Sequence, residues 1–150
     1  MGEGMLRWRE CKMQNVQTKR LRNVPFSLFY VALGGALGAV ARYGTTLLVL
    51  RLVETRAPLA TWAANLCGCF LIGFLTPLAD RLFVDPAFRL LLLVGFLGSY
   101  TTFSTFSLES VILWREGQFG LLVINAIGSV AAGMILVWLG IRLHAALFPH

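Results

Sequence analysis

The chain has 150 residues, 57% of them hydrophobic and 13% charged, with a mean hydropathy of +0.74. Soluble domains run at about 45–50% apolar and about 25% charged, so these figures exclude a disordered chain, a nucleic-acid-binding domain and most soluble enzymes. The net charge of +6 does not point to nucleic acid either, because six basic residues crowd into the start of the chain: Arg7, Arg9, Lys12, Lys19, Arg20 and Arg22. A basic tail on an apolar body has the membrane surface as its partner.

Residues 1–25 form that tail, expected to be poorly ordered, and residues 26–150 form a transmembrane domain. A hydrocarbon core about 30 Å thick needs roughly 20 apolar residues per helix. Four stretches meet this: 26–50 with one charge, Arg42; 59–79 with none; 87–114 with Arg89 near its start and Glu109 near its end; and 119–139 with none. The first is too long for a signal-peptide core. Barrel strands would alternate apolar and polar residues, and these do not. The breaks at 51–58, 80–86 and 115–118 are short and polar. They force antiparallel neighbours. The predicted fold is an all-α integral membrane protein of four helices with both termini on one side.

Orientation follows the Lys and Arg of short loops. Beyond Pro25, Arg81, Arg89 and Arg142 lie on one side, and Arg51, Arg56 and Arg115 on the other, with Arg42 leaning that way. That is no bias, and an unbiased chain is expected to insert both ways and form antiparallel dimers. The basic tail pulls against this by holding the N-terminus inside. Translation from Met13, rather than Met1 or Met5, would remove Arg7, Arg9 and Lys12.

Small residues let membrane helices approach closely. Gly34 and Gly38 form such a pair in the first helix, Cys69 and Gly73 in the second, and Ser129 and Gly133 in the fourth. With so little surface outside the membrane, they favour an oligomer. Cys67 and Cys69 lie about 200° apart around a helix, so they cannot share an ion and are expected to be buried free thiols. His144 and His150 have no metal spacing.

The chemistry is expected in the polar residues at membrane depth, where an unpartnered polar group is costly. Six of the nine residues from Ser99 to Ser107 carry aliphatic hydroxyls. Ser and Thr bond back to helix carbonyls, and Gly98 lowers helix propensity further. Mid-span, this predicts an unwound turn, tolerated only where it is buried in protein or lines a cavity. Freed carbonyls at such a break make a cation site. Phe103 and Phe106 are three apart and share a helix face. Their positive ring edges suit a small anion.

Thr61 and Asn65, four apart, share a face of the second helix, with Asn65 roughly 9 Å into the span. Asn125 and Ser129 repeat this spacing in the fourth helix. Each Asn amide brings two donors. Arg42, about 12 Å from the end of the first helix, either snorkels to the headgroups or faces a wet vestibule and attracts anions. Glu109 lies at a pore mouth or in the interface. Hydroxyls, amides and ring edges together favour an anion.

These residues resemble the small fluoride channels, the Fluc or CrcB family, from about Pro25 to Leu139. The string Gly95-Phe96-Leu97-Gly98, followed by Thr101-Thr102-Phe103-Ser104-Thr105-Phe106-Ser107 and Glu109, looks like that family's signature. Gly34, Gly35, Gly38, Ala39, Arg42 and Tyr43 resemble its first-helix motif, and Thr61 through Asn65 with Gly68 its second. The resemblance implies a passive transport protein of the inner cell membrane, not an enzyme: an antiparallel homodimer with two fluoride pores at the subunit interface. It implies that Phe103, Phe106 and Asn65 line the pores, with Thr61, Thr105 and Ser129 on a polar track. It also implies that the backbone carbonyls of Gly98 and Thr101 from each chain hold a structural Na+. Ser99 stands where that family commonly has Gly, and the long basic tail is a second departure.

Two other readings are weighed. A small multidrug/proton antiporter needs an acid within the first helix, which instead holds Arg42. A non-transporting scaffold would leave the mid-span hydroxyls without a purpose.

Overall fold

The computed structural model describes residues 24–53, 58–82 and 86–149, and their regular structure is helical throughout. The basic tail before Val24 and His150 lie outside the described residues. Helix α1 is Val24–Leu52 and α2 is Leu59–Leu82. Helix α3 covers 86–100, with the π-helical segment Leu90–Leu97 at its centre. Helix α4 is Phe103–Arg115. Helix α5 covers 119–147, with a second π-helical segment at Ile124–Gly128.

Among the described residues, four stretches are long and apolar enough to cross a membrane: Phe26–Leu52, Leu59–Asp80, Ala87–Arg115 and Phe119–Leu147. The third contains α3, a short break and α4. The fourth runs past the expected end near residue 139. Residues 140–147 hold Leu, Ala and Arg, all good helix formers, and the helix stops just before Pro149. Arg142 there lies over the ring of Trp138, 5.6 Å from its centroid.

The turn between α4 and α5 follows from Gly117, whose φ of 71° suits a residue without Cβ. Gln118 N–H donates to the Leu113 carbonyl at 2.9 Å and Gly117 N–H to the Trp114 carbonyl at 3.0 Å. This pair of bonds closes the helix with a Schellman motif. The turn between α2 and α3 is clipped by Arg89 to Asp80, 2.8 Å apart.

The helices pair by close approach of small residues. A Cβ on Gly34 would lie 2.1 Å from the Leu91 carbonyl oxygen, and one on Gly38 would lie 2.1 Å from that of Phe96. Position rises with position along both helices, so α1 and α3 run parallel in intimate contact. The same holds for α2 and α5, where a Cβ on Gly133 would lie 3.2 Å from Cys69 Sγ and one on Gly73 2.2 Å from the Val137 carbonyl oxygen. The small-residue motifs are therefore used inside the chain, which removes them as an argument for an oligomer.

One further expectation changes. Cys67 is exposed and Cys69 half-buried, so the pair are not buried thiols. Cys69 points to α5, against Gly133, and its neighbour two positions away points elsewhere. His144 is the reverse case. It is 3% exposed, packed edge-on to Phe74 and against Phe148, and neither ring nitrogen finds a hydrogen-bond partner among the described residues.

Candidate functional site

The helix opens where the hydroxyl string predicts it. Thr101 (φ −83°, ψ 155°) and Thr102 (φ −144°, ψ 120°) are extended, between the α3 end at Tyr100 and the α4 start at Phe103. Gly98 itself remains helical. Thr102 caps α4, its side chain accepting from Thr105 N–H at 3.3 Å and lying 3.1 Å from the Thr105 hydroxyl. Such an N-cap contributes about 0.5–2 kcal/mol. The Thr101 hydroxyl bonds back to the Leu97 carbonyl at 3.1 Å and that of Ser107 to Phe103 at 2.9 Å.

Asn65 of α2 holds the break open. Its Oδ1 accepts from Thr102 N–H at 2.7 Å, and its Nδ2 donates to the Thr102 carbonyl at 3.1 Å. This changes the fate of two carbonyls. In a continuous helix Thr102 N–H would donate to Gly98, and Thr105 N–H to Thr101. Here the first goes to Asn65 and the second to the Thr102 hydroxyl. The carbonyls of Gly98 and Thr101 thus lose their helical donors together. Neutral oxygen donors of this kind fit a hard monovalent cation.

One turn before Asn65, the Thr61 hydroxyl donates to Glu109 Oε1 at 2.7 Å. Glu109 Oε2 is buried with no partner among the described residues. Thr61 reaches Glu109 while Asn65 reaches Thr102, so α2 and α4 run antiparallel, as the short breaks require.

Two recesses meet at the break. A cavity of about 220 Å³ is lined by Arg42, Tyr43, Thr46, Thr61, Thr102 and Thr105. Arg42 therefore faces a polar recess beside the break. The other recess is a groove of about 470 Å³ lined by Asn65, Gly98, Thr101, Phe103, Phe106 and Ser129, among mostly aliphatic neighbours. The Phe103 and Phe106 rings lie 5.5 Å apart, tilted by 31°. Phe103 is 78% exposed, a high value for a ring at the centre of a span.

Asn125 and Ser129 part company. Four apart in a regular helix they would share a face, but the π-helical turn Ile124–Gly128 intervenes. Ser129 faces the groove, its hydroxyl bonded to the Asn125 carbonyl. Asn125 turns inward and is 0% exposed. Its Nδ2 donates to the Ser110 hydroxyl at 2.9 Å and to the Phe106 carbonyl at 3.3 Å, and its Oδ1 accepts from Trp62 Nε1. The part played by Trp62 had no signal in spacing, because a single Trp on an apolar helix reads as packing. Tyr100, whose hydroxyl lies 3.0 Å from that of Thr45, ties α3 to α1 in the same unannounced way.

Known proteins bear on this site directly. The family profile described as "CrcB-like protein, Camphor Resistance (CrcB)" matches residues 29–141. The chain belongs to the CrcB-like family. Among its curated CrcB-like relatives, one in Methylobacillus flagellatus, named "Fluoride-specific ion channel FluC", is 42% identical over 120 residues, covering 79% of this chain and 94% of the relative. Relatives of the same name in Acidobacterium capsulatum and in Synechocystis sp. are 47% identical over 112 residues and 46% identical over 111. These cover 74% and 73% of this chain, and 90% and 85% of the relatives. With four such spans, this CrcB-like chain is a multi-pass membrane protein. The match runs from Phe29 within α1 to Ile141 within α5, starting a little after the Pro25 limit of the sequence resemblance and ending a little beyond its Leu139 limit.

Proposed function

We propose that the protein is a fluoride channel, passing F⁻ passively through the cell membrane and so protecting the cell by export. The observation that carries this is the mid-span break at Thr101–Thr102, with Asn65 and the Phe103–Phe106 pair opening onto one groove. The donors there are hydroxyls, an amide and aromatic edges, which suit a small hydrated anion. The fluoride-channel names of the relatives support the same ion.

The working unit is an antiparallel homodimer with two pores between the subunits. The groove is open along one side, and the bare Phe103 ring asks for cover that one chain does not supply. Phe103, Phe106 and Asn65 would meet the ion, with Thr61, Thr105 and Ser129 along its track and Arg42 in the vestibule. The Asn65 amide spends one of its two N–H groups on Thr102 and keeps one for an anion. The Gly98 and Thr101 carbonyls of each chain would hold a structural Na+, which supplies a fixed positive charge at the break.

Fluoride efflux from proteoliposomes, followed with an electrode and with chloride as competitor, tests the reading. Rapid fluoride efflux that chloride does not suppress is expected. Vesicles that leak no fluoride, or leak chloride equally well, would overturn it.

A further inference from the structure

The helix that carries the phenylalanine pair is held in an unusual way. Only Leu113 of α4 is buried, so α4 has little apolar packing within the chain to fix its rotation. Polar tethers do this instead. Asn65 grips the Thr102 backbone before its first turn, Thr61 reaches Glu109 in its second, and Asn125 reaches the Phe106 carbonyl between them.

The Asn125 tether differs from the others in being wholly enclosed. Its amide is saturated on the donor side, with both partners one turn apart on α4, and its oxygen is engaged by Trp62 of α2. The Ser110 hydroxyl also donates to the Phe106 carbonyl, at 2.9 Å, so two side-chain donors converge on that peptide. The π-helical turn is what brings Asn125 to this place, and π-bulges of this kind collect at functional positions. An enclosed amide of this sort does not touch an ion in the groove. It sets the angle of the residue that does.

We propose that Asn125, clamped by Trp62, is the positioning residue for the Phe106 ring in the permeation path. It fixes the Phe106 peptide, and through it the tilt of the ring that faces the groove. Trp62 in turn fixes which way the Asn125 amide points: with the indole N–H on its oxygen, the NH₂ group has to face α4. The inference rests on the fluoride-channel reading and refines it.

The test is single-channel recording in planar bilayers of wild type, Asn125→Leu, Trp62→Phe and the double variant. Leucine keeps the branched shape of asparagine and removes its amide; phenylalanine keeps the aromatic character of Trp62 and removes the N–H. Unitary fluoride current and the fluoride-to-chloride permeability ratio are properties of each open channel, and a loss of folded protein alone does not move them. Loss of one hydrogen bond of ordinary strength corresponds to about a fivefold change. Asn125→Leu is expected to lower unitary fluoride current by about that factor or more. Trp62→Phe should act in the same direction by less, and the double variant should be no worse than Asn125→Leu, since both act through one clamp. If Asn125→Leu does not assemble, Trp62→Phe decides. Unchanged unitary current and selectivity in the variants, with only fewer channels, would overturn the inference while the channel reading stands. A wild-type protein without fluoride current would overturn both.

Discussion

Asn65 and Thr102 are joined by two hydrogen bonds that run in opposite directions, Thr102 N–H to Asn65 Oδ1 at 2.7 Å and Asn65 Nδ2 to the Thr102 carbonyl at 3.1 Å. A side-chain amide here plays the part of a neighbouring strand and satisfies both backbone polar groups of a residue that belongs to no helix. The break in the third span depends on the second for this reason. Loss of a partner that leaves such groups unsatisfied costs about 1–3 kcal/mol. Asn65→Ala should therefore lower thermal stability in detergent as well as fluoride flux. A variant that loses flux at unchanged stability would mean that Asn65 acts on the ion alone.

The proposed sodium site comes next in the chain of dependence. The Gly98 and Thr101 carbonyls lack their helical donors because Asn65 and Thr102 take them. No carboxylate belongs to this carbonyl set, so sodium retention should be insensitive to mild acid. Prolonged replacement of sodium by a large organic cation should abolish flux and lower the melting temperature. Thr102→Val, which removes the hydroxyl accepting Thr105 N–H, should weaken sodium retention. Full flux after exhaustive sodium removal would exclude the ion from the site.

The glycines of α2 and α5 give a stability prediction with an internal contrast. A Cβ at Gly73 would lie 2.2 Å from the Val137 oxygen, which is backbone and cannot rotate away. Gly73→Ala should destabilise by about 1–3 kcal/mol, the usual range for overpacking. Gly120 meets nothing within 4 Å, and Gly120→Ala should gain up to about 1 kcal/mol of helix propensity. Thermal unfolding in one detergent separates the two. Equal effects would mean that the α2–α5 contact is looser than its geometry.

The spans and the break were legible because both follow from local chemistry. Apolar length sets a span, and clustered hydroxyls beside Gly98 set an opening at Thr101. The pairing of helices was legible only in part. The Gly34–Gly38 motif announces a close approach but not its partner, which is α3 of the same chain and not a second copy. The site was least legible where helix geometry departs from regular spacing. Asn125 and Ser129 read as one face until a π-turn sends one inward and leaves the other in the groove. Nothing in a run such as Ile-Asn-Ala-Ile-Gly marks that turn, because the polar partners that stabilise it, Trp62 and Ser110, are remote in sequence.

Topology makes the fourth prediction. Arg142 sits within the last helix over Trp138, and Arg89 is paired with Asp80. Neither changes the count of basic residues, which is balanced across the short loops. Tag-accessibility mapping of the chain begun at Met13 should find each terminus on both sides of the membrane. Restoring Arg7, Arg9 and Lys12 should shift the balance toward an inside N-terminus. A single fixed orientation for both forms would sink the antiparallel dimer.

The fifth concerns the ring edge. Phe106 lines the groove at 5.5 Å from Phe103, with its peptide held by Asn125 and Ser110. Phe106→Ile keeps the bulk and apolarity of the side chain and removes the polarised C–H edge. A buried edge contact should be worth at least the ~0.5–1.5 kcal/mol of an aromatic pair, a factor of roughly two to ten in rate at about 1.4 kcal/mol per tenfold. The loss should be larger than that, since a dehydrated ion would be left facing an alkyl group. Fluoride efflux from proteoliposomes should fall severely while size-exclusion elution stays at the wild-type position. The peptide tether survives in this variant because Asn125 and Ser110 bond to the backbone, not the ring. A flux defect in Phe106→Ile therefore reports the ring itself, and wild-type rates would make Phe106 a packing residue and move the pore elsewhere.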